Sequence, residues 1–384
     1  MSSEPFTLRW GILAFTKDLL INPQTRDASD IRHVVAAAAS STSLSRATSF
    51  LTSVGAPPTA RAYGSYTELA SDPNIDIIYI ATPHSHHYHH ARLCLNAGKH
   101  LLVEKPITVN AAQCQELRKL AKEKGRFMME AVWTRFFPLS REVCSIIKEG
   151  RLGEIKRVFA DFSFWNDVEK EFGTEHRMVN PDLAGGALLD LGIYSLTWVV
   201  MALWHCQPEE GKRQEPVVSS AVSKYETGVD ETTTVLLRFP GSGAQGVAGT
   251  SIIVATTPNA EHPNPGGDAV RIQGTLGDLT VDYAPKPRTY TLTPAANEKR
   301  GTLADFEYQV VDKYKSIPGG GHGMFWEADE CARCIRDGKL ESEVMGLEET
   351  EVVMRVMDQV RRQGGVVYPA VIESTEAGLE GFGV

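Results

Sequence analysis

The chain has 384 residues, 42% hydrophobic and 23% charged. This is an ordinary globular mixture that excludes wholesale disorder and, at this length, favours two domains. The net charge of −9 repels nucleic acid and anionic membrane, so neither is expected as a partner. Six cysteines are too sparse for a secreted disulfide scaffold and suit reduced thiols in the cytosol.

The first residues, Met1 to Thr7, have no basic start and no apolar run, so no signal peptide is read there and a cytoplasmic location is expected. Apolar runs then recur at Leu8–Leu13, Val34–Ala39, Asp76–Ala81, Lys99–Glu104 and Phe127–Glu130. Continuous rather than alternating runs suit strands covered on both faces, hence a parallel sheet. Helical stretches lie between them. Asn110 can cap one, Cys114, Leu117, Leu120 and Ala121 form its stripe, and Gly125 ends it. The alternation predicts a Rossmann-like, doubly wound α/β domain over residues 1–135.

Over residues 136–384 the pattern predicts an α+β domain on a large, open, mostly antiparallel sheet. Longer strands are read at Glu154–Phe164, Val217–Tyr225, Glu231–Phe239, Gly246–Val254, Ala269–Gly274 and Asp278–Tyr283, the last two joined as a hairpin. Helices are read at Met324–Arg336 and Leu347–Gln363, and a frayed tail after Tyr368. Ala184–Trp204 is apolar enough to test as a membrane span. It contains Asp190, costly at mid-membrane, and reads as a buried helix instead. Cys94, Cys114, Cys144, Cys331 and Cys334 all fall in helical patterns. Cys331 and Cys334 share redox spacing, but Met324, Ala328, Cys331 and Ile335 make one buried stripe.

Two constellations carry chemistry. Glu104-Lys105-Pro106 ends a parallel strand, the edge where open α/β sheets bind ligands. Lys105 there is either a plain junction lysine or a group acting on a substrate hydroxyl and a cofactor ribose. In Gly185-Gly186-Ala-Leu-Leu-Asp190-Leu-Gly192-Ile-Tyr194, Asp190 and Tyr194 share a helix face, and Asp190 is the lone carboxylate of its segment. The pair is either a hydrogen-bonded core feature or functional. Tyrosine is a poor base, with an ordinary pKa of about 10. A nearby ammonium favours the phenolate, and Lys105 is the candidate to supply it.

The run Ala81-Thr82-Pro83-His84-Ser85-His86, then Glu104-Lys105-Pro106, then Gly185 to Tyr194 resembles the Gfo/Idh/MocA oxidoreductases. Glu130 to Pro138, His176-Arg177-Met178 and Gly321 to Arg333 resemble the branch holding dihydrodiol and D-xylose dehydrogenases. The resemblance spans about Trp10 to Pro369. It implies hydride transfer between NADP and a sugar or cyclic diol, with Tyr194 as acid/base, Lys105 supporting it and Asp190 orienting the site. It places Thr82, Pro83, His86, Glu104 and Lys105 beside the cofactor. Trp133, Arg135 and Arg177 would shape the nicotinamide and substrate pocket. It also implies a homodimer through the C-terminal sheet.

The second strand ends in Ser40-Ser41, with Arg46 five residues on, and has no carboxylate to repel a 2′-phosphate. Ser41 and Arg46 either hold that phosphate, which favours NADP over NAD, or are a plain polar loop and helix start. The histidines at 84, 86, 87, 89 and 90 lack the cysteines or carboxylates of a metal site. His86 matches the family's loop histidine and the others are expected to face solvent.

One departure stands out. A Rossmann site needs glycines between its first strand and first helix, where backbone N–H groups approach the pyrophosphate. Here Leu8 to Leu20 holds only Gly11, inside the strand, and the segment is short by about one phosphate loop, some six or seven residues. Either a short piece of coding sequence is missing, or the protein lacks the loop and binds cofactor poorly, as a non-catalytic member of the family would.

Overall fold

A strand that buries both faces needs apolar side chains at consecutive positions, and all four residues of Ile77–Ile80 are buried. The structure is a computed structural model. It describes residues 4–13, 28–41, 43–165, 167–171, 173–208, 214–259, 267–297, 299, 301–376 and 382. Among these, β1 (Phe6–Leu13), β2 (Ile31–Ala39), β3 (Arg61–Tyr63), β4 (Ile77–Ile80), β5 (His100–Glu104) and β6 (Met128–Ala131) form one sheet in the order β3-β2-β1-β4-β5-β6. Every pairing in it is parallel. The order reverses between β1 and β4, which opens a crevice at the carboxyl ends of the strands. The strands read from sequence are all present. β3 has no buried residue and leaves no apolar signal.

Helices α1 (Leu44–Ser53), α2 (Tyr66–Ser71), α3 (His84–Asn96) and α4 (Ala111–Lys124) connect these strands. α4 starts and stops as read. The Asn110 side chain accepts from the Gln113 N–H at 3.0 Å, and Gly125 closes the helix at φ 60°.

The chain divides into two compact units. The first takes residues up to Trp133 and also Ile317–Glu351 and Pro369–Val384. The expected division into 1–135 and 136–384 is therefore corrected, because C-terminal segments return to the first sheet. Between Gly320 and Glu351 the chain forms α7 (Phe325–Arg336) and the start of α8 (Leu347–Gly364), which follow α5 (Pro138–Lys148) and α6 (Ile193–Val200) of the second unit in chain order. His33 of β2 links Trp10 Nε1, at 3.0 Å, to Asp329 of α7, at 2.9 Å. Arg333 and Arg336 both pair with Asp30.

The tail reading is corrected for residues 369–376 and 382, while 377–381, 383 and 384 lie outside the described residues. α9 (Ala370–Glu373) is held by the Gln113 amide, which donates to the carbonyls of Ile372 at 2.8 Å and Ser374 at 2.9 Å. Phe382 is buried and stacks on His89 with ring centroids 3.8 Å apart. Two hydrogen bonds from the Gln113 amide and an aromatic stack are what sequence composition could not signal in a Glu- and Gly-rich segment.

The second unit takes Thr134–Ser316 and Val352–Tyr368. It holds α5 (Pro138–Lys148), α6 (Ile193–Val200) and, among the described residues, an eight-stranded sheet. Its strands are β7 (Ile155–Asp161), β8 (Val217–Lys224), β9 (Asp230–Arg238), β10 (Gln245–Ser251), β11 (Val270–Gly274), β12 (Gly277–Val281), β13 (Tyr290–Pro294) and β14 (Gln309–Val311). They lie in the order β14-β13-β12-β11-β7-β10-β9-β8. Only the β7–β10 pair is parallel. β11 and β12 form the expected hairpin. The short β13 and β14, after a proline-rich stretch, were not read from sequence.

One sheet face carries the core. A Cβ placed on Gly246 would lie 2.2 Å from the Val199 side chain, so α6 rests directly on β10. The stretch Pro181–His205 is long and apolar enough to cross a membrane, and its apolar window is wholly buried in this fold, as read from Asp190. On the other face the pairings align Leu236, Val247, Phe159, Arg271, Thr280, Thr291 and Val310 in one row. Leu236, Phe159 and Val310 in that row are exposed.

Candidate active site

In the first unit the chemistry gathers where β4 and β5 end. The Glu104-Lys105-Pro106 loop is held at three successive points. Tyr79, a fully buried residue of β4, donates its hydroxyl to the Glu104 carboxylate. That carboxylate also accepts the Lys105 N–H at 3.1 Å. His87 sits between two carbonyls, Pro106 O at 2.8 Å and Thr82 O at 2.7 Å. Glu130, at the end of β6, accepts the Ile107 N–H at 2.9 Å and the Thr350 hydroxyl at 2.9 Å. The peptide bond Lys105–Pro106 is cis.

Burial sets the ionisation of these groups. Desolvation holds His87 as a neutral imidazole, pulling its pKa down to about 3, and the like charge of His84 adds to this. The two carbonyls pull the other way and lose. A neutral ring has one N–H, so His87 donates to one carbonyl only. Glu130 is pushed up to about 7 by burial, against the pull of its two donors. Glu327 of α7 is fully buried, and neither carboxyl oxygen has a hydrogen-bond partner among the described residues. Burial, then the charge of Glu104, holds it well above the carboxylate range, as a neutral acid.

The histidine expectation is corrected. His84, His87, His89 and His90 are buried in α3, not solvent-facing. His90 faces the Thr82 hydroxyl at 3.0 Å and the Phe382 carbonyl at 2.7 Å. Burial lowers the pKa of His87, His89 and His90 and favours their neutral rings. His86 is half-buried and bonds the Ser85 hydroxyl at 2.9 Å. Thr82 is buried and Pro83 exposed at the start of α3. Among the described residues no group of histidine, cysteine and carboxylate side chains is placed to hold a metal.

Ser41 and Arg46 are both exposed, Ser41 just past β2 and Arg46 in the first turn of α1. That turn contains no acidic residue. Trp133 packs its ring 5.7 Å from that of His322. The expected gap, at Ala14 and Phe15, lies outside the described residues.

In the second unit the Gly185-Gly186 pair is a steric requirement. A Cβ on Gly185 would come within 2.9 Å of the backbone of Arg177, Met178 and Val179. Gly186 has φ +122°, and its Cβ would lie 2.2 Å from the Asp230 carboxylate. Asp230 is buried and accepts the Leu188 N–H at 2.6 Å and the Thr233 hydroxyl at 3.1 Å. It caps the segment Leu188–Gly192, a wider π turn that leads into α6. Burial pushes Asp230 up to about 6.

That turn carries Asp190, whose carboxylate pairs with Arg177 at 3.2 Å. Arg177 is half-exposed and Asp190 nearly buried. Tyr194 follows one turn on, buried, with its ring edge-to-face on Phe162 at 5.4 Å. Phe162 makes the same contact with Tyr283 at 5.5 Å. Beyond Tyr283 a cavity of about 620 Å³ opens, lined by Phe164, Trp165, Tyr283, Asp282 and Arg288 among others. Arg135 is buried in this unit, where its charge is felt by the thiols of Cys144 and Cys206.

A parallel sheet in dinucleotide-binding order, with a lysine loop at its carboxyl edge, and a second unit with a paired Asp–Arg and a tyrosine, define an oxidoreductase with a nucleotide-binding Rossmann domain. The chain belongs to the Gfo/Idh/MocA family. The model of the oxidoreductase family with NAD-binding Rossmann fold matches residues 18–132, and that of the Gfo/Idh/MocA C-terminal domain matches residues 140–280. The chain is 46% identical over 383 residues to the D-xylose 1-dehydrogenase (NADP(+)) of Hypocrea jecorina, covering 97% of this chain and 95% of that protein. It is 36% identical over 365 residues to trans-1,2-dihydrobenzene-1,2-diol dehydrogenase of Macaca fuscata fuscata, covering 94% and 98%. It shares its fold with levoglucosan dehydrogenase, solved with NADH and levoglucosan, at a TM-score of 0.76, 18% identity, and 94% and 97% coverage.

Sequence reasoning missed Tyr79, His87, Asp230, Phe162 and Glu327. Of these only Asp230 left a signal, a carboxylate opening an otherwise threonine- and leucine-rich strand.

Glu130 yields a pH prediction. Its folded pKa is raised from 4.5 to about 7, so its stabilising contribution is full below 4.5 and is lost as pH rises through about 7. Glu130→Gln mimics the protonated acid and should remove this dependence. In urea unfolding, the stability of the wild type minus that of E130Q should fall by up to about 3 kcal/mol across this range. Curves that stay parallel would contradict the assignment.

Proposed function

We propose that this chain is an NADP-dependent dehydrogenase that oxidises a ring hydroxyl of a sugar or a cyclic trans-diol, with D-xylose the first substrate to try. The carrying observation is the Asp190–Tyr194 turn, built by two obligatory glycines and Asp230. It presents one carboxylate, tied to a half-exposed arginine, and one tyrosine. The named activities of the relatives at 46% and 36% identity support the substrate class.

NADP bound to the first unit would supply the hydride acceptor. Tyr194 would take the proton of the substrate hydroxyl. Lys105 stands on its clamped loop at the carboxyl edge of the first sheet. Asp190 holds Arg177, whose exposed half is free to meet a substrate oxygen. The cavity of about 620 Å³ is lined by none of Tyr194, Asp190 and Arg177, so the substrate ring is not assigned to it. Ser41 and Arg46, with no acidic residue beside them, fit a 2′-phosphate and support NADP over NAD.

The exposed row containing Leu236, Phe159 and Val310 is the face we assign to a homodimer. Light scattering at micromolar concentration should give twice the chain mass; a monomer contradicts this.

Tyr194→Phe should lower kcat about 100-fold or more with an unchanged circular dichroism spectrum, because only the ionisable hydroxyl is lost. Lys105→Met should be similarly inactive. Near-full D-xylose or diol dehydrogenase activity in Y194F would refute the assignment.

The pyrophosphate is where the sequence offers least. Gly11 lies in β1, where an added Cβ would meet Ile75 and Leu69 at 3.0 Å, so it serves packing rather than phosphate. Charge-assisted hydrogen bonds are worth about 1.5–3 kcal/mol each. Losing two weakens binding by roughly two to four powers of ten. NADPH fluorescence titration should therefore give a Kd well above micromolar. Inserting a glycine-bearing loop after Ala14 should tighten it by about two powers of ten or more. A micromolar Kd in the unaltered chain would contradict this reading and leave the non-catalytic alternative without support.

A further inference from the structure

Among the six cysteines, two meet away from the catalytic turn. Cys144 lies in the last turns of α5, and Cys206 directly follows the segment Met201–His205. Their sulfurs are 2.7 Å apart, although the residues are 62 positions apart in sequence. The other four thiols, Cys94, Cys114, Cys331 and Cys334, are buried.

The surroundings are cationic. Lys148 stands one turn after Cys144 and approaches His205 Nε2 at 3.4 Å. The charges of Arg135 and Lys148 act on both sulfurs. The two thiols are unequal. The contact with Cys206 is the largest influence lowering Cys144, with His205 helping, whereas that contact and burial raise Cys206. The thiolate is thereby favoured on Cys144, the less buried of the two, and the proton on Cys206. Beside them a cavity of about 510 Å³, lined by Lys148, His205, Cys206 and Glu154 among others, admits a small reagent.

We propose that Cys144 and Cys206 form a reversible redox pair, oxidised to a disulfide by hydrogen peroxide and reduced by a dithiol. The Cys144 thiolate attacks one peroxide oxygen and the O–O bond breaks. This gives a sulfenic acid and hydroxide, which takes up a proton to become water. The Cys206 sulfur then attacks the sulfenic sulfur, the S–O bond breaks, and the departing hydroxide takes the Cys206 proton as a second water. Two thiols and one peroxide give one disulfide and two waters, with two electrons passing from sulfur to oxygen. A disulfide holds its sulfurs roughly 2.05 Å apart, so closure asks for little movement. The bond ties α5 to the end of the helical stretch that begins with Asp190 and Tyr194.

The test uses the full chain. After one equivalent of hydrogen peroxide, free thiols are blocked with N-ethylmaleimide under denaturing conditions, and the digest is read by mass spectrometry. A linked Cys144–Cys206 peptide pair is expected, with the other four cysteines alkylated, and dithiothreitol should restore both thiols. The oxidised chain should also unfold at higher urea concentration, since the bond closes a long loop. In Cys206→Ser, Cys144 should accumulate as a sulfenic acid captured by dimedone. Recovery of both wild-type thiols fully alkylated after peroxide, or oxidation falling on other cysteines instead, would overturn the proposal. If C206S does not fold, the wild-type peptide map decides alone.

Discussion

The loop from Glu104 to Ile107 is fixed by side chains that are themselves buried, and the first unit's candidate chemistry depends on that restraint. Tyr79 holds Glu104, His87 meets the Pro106 carbonyl, and Glu130 takes the Ile107 N–H. A buried polar group costs free energy unless it is satisfied, so each support has a single preferred arrangement. Glu130 and His87 are both pushed toward their neutral forms, which removes the larger cost of burying charge. The result is a lysine whose backbone is positioned on both sides before any ligand arrives.

The second unit applies the same physics to a helix start. Gly185 and Gly186 let the chain pass against its own backbone and against Asp230. Asp230 in turn satisfies the Leu188 N–H, one of the amides that a helix N-terminus leaves unpaired. A π turn there sets Asp190 beside Arg177, and the edge contact with Phe162 restrains the Tyr194 ring. Substitution at either glycine would move the turn rather than merely loosen it.

The parallel strands were legible because two-sided burial leaves continuous apolar runs, and Asn110 and Gly125 marked α4 to the residue. The Asp190–Tyr194 turn was legible as a lone carboxylate in an apolar segment. What escaped were supports defined only by three-dimensional proximity. His87 looks like one of four solvent-facing histidines until α3 buries it between two carbonyls. Tyr79 is one more aromatic residue in a strand until Glu104 reaches it. The return of α7 and α9 to the first sheet rests on His33–Asp329 and Gln113–Ile372, contacts across more than 250 positions that no local pattern announces.

A dehydrogenase of this kind would pass hydride from the substrate's hydroxyl-bearing carbon to NADP. Deuterium offers the most direct check. D-xylose deuterated at its anomeric carbon is incubated with the chain and NADP, and the recovered NADPH is weighed by mass spectrometry. One deuterium in the reduced cofactor above an unlabelled control is expected. Reduced cofactor that carries no deuterium would contradict it.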